Sequence, residues 1–179
     1  MRYRFVPALL MALGCSDGTG PAPGETAGTF IATLTGAIPA TRTGQATLVV
    51  GAAPGRGPSY SVQLYLASGA SPFSLSIEGD GRRPVVGTYD VTPATAPQSR
   101  PTVVVMQCAE DVTPCGVVWG SYWETPAGAG RLDITRSSTA GLVGSLEVDL
   151  RTENAPQYAG QLLHVSARFH ATCESGVAC

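Results

Sequence analysis

Apolar and polar residues alternate strictly in several short segments of this chain, and this alternation constrains the fold more than any other feature. Because side chains along a strand point alternately to its two faces, the pattern predicts strands with one buried and one solvated face. Such half-buried strands are typical of antiparallel sheets. The clearest examples are residues 28–36, 59–67, 72–79, 130–135, 142–150 and 162–171.

Further strands are predicted near residues 43–51, 85–91, 101–107 and 116–124. No segment shows sustained helical periodicity, and the 22 glycines and 14 prolines are spread between the β-like runs as turn signals. About ten strands in one stretch predict a single all-β domain over residues 28–179, an antiparallel β-sandwich or barrel.

Two hairpins are predicted. Gly79, Asp80 and Gly81 lie between two alternating runs and carry the composition of a hairpin turn. The second hairpin joins the last two strands and turns near Pro156. It keeps one face apolar, with the inward residues Leu142, Leu146, Val148, Leu150, Leu163, Val165, Ala167 and Phe169.

That register of the C-terminal hairpin also fixes its outward pairs. It sets Asp149 opposite His164, and Glu147 opposite Ser166 and diagonal to Arg168. A slip of one residue would turn the whole apolar set to solvent, so we expect this register to be strongly specified.

The charge composition excludes several functions. The net charge is −2 and only 13% of the residues are charged, so no nucleic-acid partner is expected. All eleven basic residues are arginines, which excludes lysine Schiff-base and P-loop chemistry. No cofactor is expected.

The N-terminus has the anatomy of a secretory signal peptide. Arg2 and Arg4 precede an apolar run over residues 5–13, which is far too short to span a bilayer. Small residues, Ala12 and Gly14, stand before Cys15, so residues 1–14 are predicted to be removed. The alternative is a buried helix of the domain. Residues 16–27 contain no large apolar side chain, and residues 15–27 are expected to form a flexible tether.

The segment LMALGC, which ends at Cys15, resembles the lipobox of bacterial lipoproteins. The resemblance implies that Cys15 is acylated and becomes the first residue of a mature chain whose partner is a membrane. Ordinary signal peptidase could cut at the same bond, because Ala12 and Gly14 suit it as well. Ser16 is similar to the residue that accompanies export to the outer membrane in many Gram-negative bacteria.

Residues 128–150, GAGRLDITRSSTAGLVGSLEVDL, are similar to the C-terminal half of a loose group of bacterial lipoproteins with no assigned activity. In that group a Gly-x-Leu-x-Ile-Thr strand leads through a short turn to a second Gly-containing strand. The resemblance implies an all-β fold and no particular function.

Four cysteines remain if Cys15 carries lipid, an even number as an oxidising compartment requires. Of the three possible connectivities we predict the local pairs Cys108–Cys115 and Cys173–Cys179. Each such small loop contributes about 2.5 kcal/mol in the chain-entropy description. The rival hypothesis is a zinc site built from all four thiolates, although no C-x-x-C spacing is present.

Two groups of residues are candidate functional sites. Trp119, Tyr122 and Trp123 form either an exposed aromatic platform for a glycan, lipid or protein partner, or part of the core. His164 and His170 share a strand face about 20 Å apart, too far to ligate one metal ion. Asp149 and His164 resemble two members of a catalytic triad, but surface pairing is the simpler interpretation because no G-x-S-x-G motif is present.

Three functions are therefore compared. The first is a non-catalytic lipoprotein module, anchored to the envelope of a bacterium, that serves binding or envelope structure. The second is a carrier whose barrel encloses a small apolar ligand, which requires an internal cavity. The third is an enzyme, for which the sequence offers no nucleophile–base pair and no metal cluster.

Overall fold

All ten predicted strands form in a computed structural model of the chain. The structure describes residues 24–52, 57–66, 73–81, 83–91, 102–107, 117–121, 130–152, 155–174 and 179. The strands are β1 (Thr29–Gly36), β2 (Ala40–Ala52), β3 (Pro58–Tyr65), β4 (Phe73–Asp80), β5 (Gly87–Val91), β6 (Thr102–Gln107), β7 (Val117–Gly120), β8 (Gly130–Ser138), β9 (Gly141–Leu150) and β10 (Leu163–Cys173). A three-residue 3-10 helix, Pro156–Tyr158, lies between β9 and β10.

The ten strands form one antiparallel sheet in the order β5-β8-β9-β10-β1-β2-β3-β4-β6-β7. The sheet curls, so that β7 at one edge reaches the chain that follows β9: the Gly120 N–H donates to the Arg151 carbonyl oxygen at 2.9 Å. Where β1 begins, β10 instead pairs directly with β2 through Thr172 and Cys173. The all-β prediction is confirmed as a curled sheet of the sandwich or barrel class.

The predicted alternation sorts the side chains between the inside and the outside of the curled sheet. Phe30, Ala32 and Leu34 are buried along β1, and Phe73, Leu75 and Ile77 are buried along β4. The rings of Phe30 and Phe73 come from strands separated by β2 and β3, yet their centroids are only 6.1 Å apart. Side chains therefore meet across the interior, as in a packed core.

This filling bears on the hypothesis of a carrier barrel. The largest fully buried side chains include Trp119 and three phenylalanines contributed by β1, β4 and β10. Aromatic rings that converge from several strands occupy the space that an enclosed ligand would need. The described interior thus gives the apolar-ligand carrier no supporting observation.

The C-terminal hairpin has the predicted register. His164 lies opposite Asp149 and Ser166 opposite Glu147, while all the predicted inward residues of both strands are buried. Gly144 interrupts the apolar set of β9 and lies opposite Phe169. A Cβ at Gly144 would stand 2.9 Å from the Phe169 ring, so the glycine makes room for the aromatic side chain.

The hairpin predicted at residues 79–81 is wrong. β4 pairs with β3 and β6, whereas β5 pairs with β8 at the far edge of the sheet. Gly79 is the last-but-one residue of β4 and supports the Tyr60 ring, rather than forming a turn. Gly81 does adopt a left-handed backbone conformation, with φ +93°. The position of the next strand, β5, is nevertheless set by its pairing with β8.

Tyr60 is an ionisable side chain buried in this core. It is directly opposite Gly79, and a Cβ at Gly79 would overlap the phenol ring. Burial, and then the neighbouring Tyr89 and Asp80, raise the pKa of Tyr60 from 10.0 to about 12. Deprotonation is therefore harder in the folded protein than in the unfolded chain.

We predict a loss of stability at alkaline pH that depends on Tyr60. The raised pKa contributes stability that is complete below pH 10 and is lost as pH rises toward about 12, worth roughly 2–3 kcal/mol. Urea unfolding between pH 9 and 12 should show this slope, and Tyr60→Phe should remove most of it. Tyr65→Phe, at a half-buried tyrosine of the same strand that is not among the groups raising this pKa, is the matched control and should keep the slope. An equal slope in the Tyr60→Phe protein would contradict the assignment.

Candidate functional site

Trp119 belongs to the core. It lies on β7 with 0% exposure, and its ring packs on Tyr158 with centroids 5.5 Å apart. Val117 and Ser121, which share its face, are also buried, as the alternation predicts. The surface hypothesis for Trp119 is therefore corrected, because a ring without exposed area cannot offer a platform. Tyr122 and Trp123 lie outside the described residues.

The indole N–H of Trp119 is buried with its ring. Neither this Nε1 nor the buried Nε of Arg151 has a hydrogen-bond partner among the residues that the structure describes. Tyr158 of the 3-10 helix covers the ring from the connection between β9 and β10. This end of the sheet is thus closed by contacts between β7 and that connection.

The predicted Cys173–Cys179 disulfide is present, with Cα atoms 6.1 Å apart. It ties the C-terminus against the sheet at β2. The Glu174 N–H donates to the Leu48 carbonyl oxygen at 3.1 Å, and Nη1 of Arg83 donates to the Cys179 carbonyl oxygen at 2.9 Å. These two cysteines are therefore not zinc ligands. Cys15, Cys108 and Cys115 lie outside the described residues.

A polar array occupies the outer face of β9 and β10. His164 donates from Nδ1 to Oδ1 of Asp149 at 2.8 Å, and its Nε2 lies 3.2 Å from Oε2 of Glu147. Ser166 donates to the other oxygen of Glu147 at 2.6 Å. The Asp149–His164 pair is the one predicted from the sequence. The second carboxylate was not predicted, although the same register places Glu147 diagonal to His164.

The arrangement of this array differs from that of a catalytic triad. In a triad the serine donates to a histidine ring nitrogen that is held by a carboxylate on its other side. Here both ring nitrogens of His164 face carboxylates, and Ser166 donates to Glu147 instead. The His164 side chain is 45% exposed, so the array is a surface network of modest energetic value.

His170 has a separate environment from His164. It donates from Nδ1 to the carbonyl oxygen of Glu25 at 3.1 Å, which holds the segment before β1 against β10. The Gly28 N–H adds a hydrogen bond to the His170 carbonyl oxygen at 2.7 Å. The two histidines are not brought together.

A third outward group lies on β8, which pairs with β5. Arg131 contacts Asp133 at 2.8 Å, and the Thr88 hydroxyl donates to the same carboxylate. The Thr88 hydrogen bond, followed by the Arg131 hydrogen bond and charge, lowers the pKa of Asp133 below 3.8. Arg131 thus has a carboxylate partner on the sheet surface.

No metal site or membrane helix is found within these residues. The described part of the chain contains no cluster of histidine, cysteine, aspartate or glutamate placed to hold a metal ion. Nor does it contain a helix that is long and apolar enough to cross a bilayer. Comparison with protein-family models, curated proteins and solved structures finds no match.

Proposed function

We propose that this chain is an exported lipoprotein, anchored through acylated Cys15 in a bacterial outer membrane, whose all-β domain is a non-catalytic module for binding or envelope structure. The observation that carries the export proposal is the Cys173–Cys179 disulfide. Stable disulfides form in oxidising compartments outside the cytoplasm. An exported domain needs an export signal, and residues 1–14 have the required anatomy.

The anchor rests on the residues around Cys15. Gly14-Cys15 matches the lipobox, and residues 16–23 contain no large apolar residue that could pack on the domain. Gly24 and Glu25, which follow, already lie against β10. In the structure β1 begins only at Thr29. A chain of that composition suits a tether between a lipid and a folded domain.

The non-catalytic character is supported by the outer face of the sheet. In the group formed by His164, Asp149, Glu147 and Ser166, the serine is bonded to Glu147 instead of to the histidine. A module without such machinery contributes through its surfaces. The partner, whether protein or glycan, contacts the domain from outside because the described interior is filled by side chains.

Changing Cys15 to serine is expected to release the protein from the membrane fraction. The acyl chains supply nearly all the affinity, about 0.8 kcal/mol for each buried CH₂. Mass spectrometry of the native protein should show a diacylglyceryl mass on Cys15. Ser16→Ala is the matched control and should stay membrane-bound. An unmodified N-terminal Cys15 would refute the anchor and leave the export proposal intact.

Substitution of Ser16 tests the proposed location in the outer membrane. In a Gram-negative host, Ser16→Asp is expected to shift the protein from the outer to the inner membrane in a sucrose density gradient, while acylation of Cys15 persists. An unchanged outer-membrane position of Ser16→Asp would show that Ser16 does not direct sorting.

A further inference from the structure

A cleft of about 340 Å³ opens on the outer face of the sheet, between β8, β9 and β10 and the segment that precedes β1. Gly24 and Glu25 form one wall, and Gly24 lies so close to β10 that a Cβ there would stand 2.7 Å from the Arg168 carbonyl oxygen. The volume is at the lower end of the range for small-molecule sites. The cleft is therefore large enough for a small organic molecule.

The strand register places three basic side chains around this cleft. Arg136, Val143 and His170 form one row across β8, β9 and β10, and Arg168 lies in the next outward row opposite Ser145. A β-bulge between Ile134 and Arg136 shifts β8 by one residue, which brings Arg136 opposite Val143. We call this group, Arg136, Arg168, His170, Ser145 and Val143, the arginine cleft.

A side-chain hydrogen bond holds this bulge in place. The Thr135 hydroxyl donates to the Val143 carbonyl oxygen at 3.2 Å, which stabilises the irregular pairing. Bulges re-aim side chains and are enriched at functional positions of sheets. Without the extra residue, Thr135 would face Val143 and Arg136 would belong to the inward row.

The two arginines of the cleft differ from Arg131 in their partners. Arg131 is paired with Asp133, and His164 is paired with Asp149 and Glu147. Among the described residues, neither Arg136 nor Arg168 forms an ion pair. Glu25 is the acidic residue of the cleft lining, so two guanidinium groups face one carboxyl group there. The cleft thus keeps a positive excess in a domain whose chain has a net charge of −2.

We propose that the arginine cleft binds a small organic molecule through a phosphate or carboxylate group, which Arg136 and Arg168 contact from opposite sides. The planar guanidinium fork matches both groups and forms strong charge-assisted hydrogen bonds with them. The Ser145 hydroxyl supplies a further donor, and Val143 an apolar contact for the body of the molecule. This ligand class deepens the proposed binding function but does not depend on the lipid anchor.

Calorimetric titration of the full chain with inorganic phosphate, glycerol 3-phosphate and citrate tests the site. We expect saturable binding of at least one probe at one site per chain. Arg136→Gln and Arg168→Gln should each weaken it about tenfold or more, the loss expected for a charge-assisted hydrogen bond. Arg131→Gln, at an exposed arginine of the same sheet, should leave the affinity within about twofold. Equal losses in all three variants would show a diffuse charge effect and overturn the proposal.

A variant that fills the site distinguishes lost binding from lost folding. Because Ser145 lies opposite Arg168 on β10 and opposite Asp133 on β8, Ser145→Asp gains one attractive and one repulsive neighbour. It should abolish binding while the circular-dichroism spectrum remains that of the folded protein. Unchanged binding by Ser145→Asp would place the ligand elsewhere.

Vesicles distinguish a free ligand from a lipid headgroup. With the Cys15→Ser chain, vesicles of phosphatidylcholine with phosphatidylglycerol should compete with the soluble probes only weakly, since the cleft accepts a small molecule. Binding to these vesicles but to none of the soluble probes would overturn the small-molecule assignment in favour of a membrane contact. Saturation by no probe at all would refute the site. None of these outcomes changes the acylation result at Cys15, so the two proposals fail separately.

Discussion

The Phe169→Ala protein is expected to lose about 3–5 kcal/mol of unfolding free energy, because the substitution truncates a fully buried aromatic side chain. Phe169 is fully buried on β10, where its ring packs over Gly144 of β9. Gly144, which faces the ring, has no side chain that could move into the vacated space, so the truncation leaves a cavity. Urea unfolding followed by tryptophan fluorescence measures the loss.

The two histidines on the same strand as Phe169 are the matched controls. His164 and His170 point outward and are partly exposed, so His164→Ala and His170→Ala should each cost less than about 1 kcal/mol. Leu146→Ala, on the buried face of β9, should resemble Phe169→Ala with a loss of about 2–5 kcal/mol. A histidine variant as damaging as Phe169→Ala would mean that the outer face is covered, and a ligand role for that histidine would have to be reconsidered.

The second large effect is expected at Gly36, where β1 ends. Gly36 has φ +87°, and a Cβ there would overlap the Leu162 carbonyl oxygen. That oxygen accepts a hydrogen bond from the Ala37 N–H at 3.0 Å and links the β1–β2 turn to the start of β10. Gly36→Ala adds left-handed backbone strain and a backbone clash, together about 2–5 kcal/mol.

Two other glycines separate the contribution of backbone strain from that of the backbone clash. Gly81 also has a positive φ, +93°, but a Cβ there meets nothing within 4 Å. Gly81→Ala should therefore cost only the conformational strain, about 1–2 kcal/mol. Gly51→Ala, in open space with no positive φ, should be nearly neutral. Thermal melts should rank the losses Gly36→Ala, Gly81→Ala and Gly51→Ala from largest to smallest. Equal losses at Gly36 and Gly81 would show that the Leu162 backbone moves away from the added methyl group without lowering the stability.

The two arginines of the arginine cleft could not be recognised from the sequence as members of one site. Arg136 and Arg168 are thirty-two positions apart, and each looks like an ordinary surface arginine in its own strand. Their common site depends on a bulge in β8 and on the segment at Gly24 and Glu25 that closes the cleft. Neither feature has a short sequence signature, although the register of β9 and β10 alone already places Arg168 opposite Ser145.

The sequence by itself determined which residues form strands and which face of each strand is buried. This information is local, because a side-chain period of two is present in each strand whatever its neighbours are. For the same reason the register of the C-terminal hairpin could be predicted correctly, because the apolar faces of two consecutive strands must coincide.

Only the tertiary structure decided the order of the strands and what closes the sheet. β5 follows β4 in the chain but pairs with β8, and β7 meets the residue after β9. The pattern around Trp119 favoured a core position but left a surface platform open, and the full burial of its ring against Tyr158 decided for the core. Edge pairings and ring contacts of this kind join distant segments, so their free energy depends on the assembled sheet and leaves no periodic trace in the sequence.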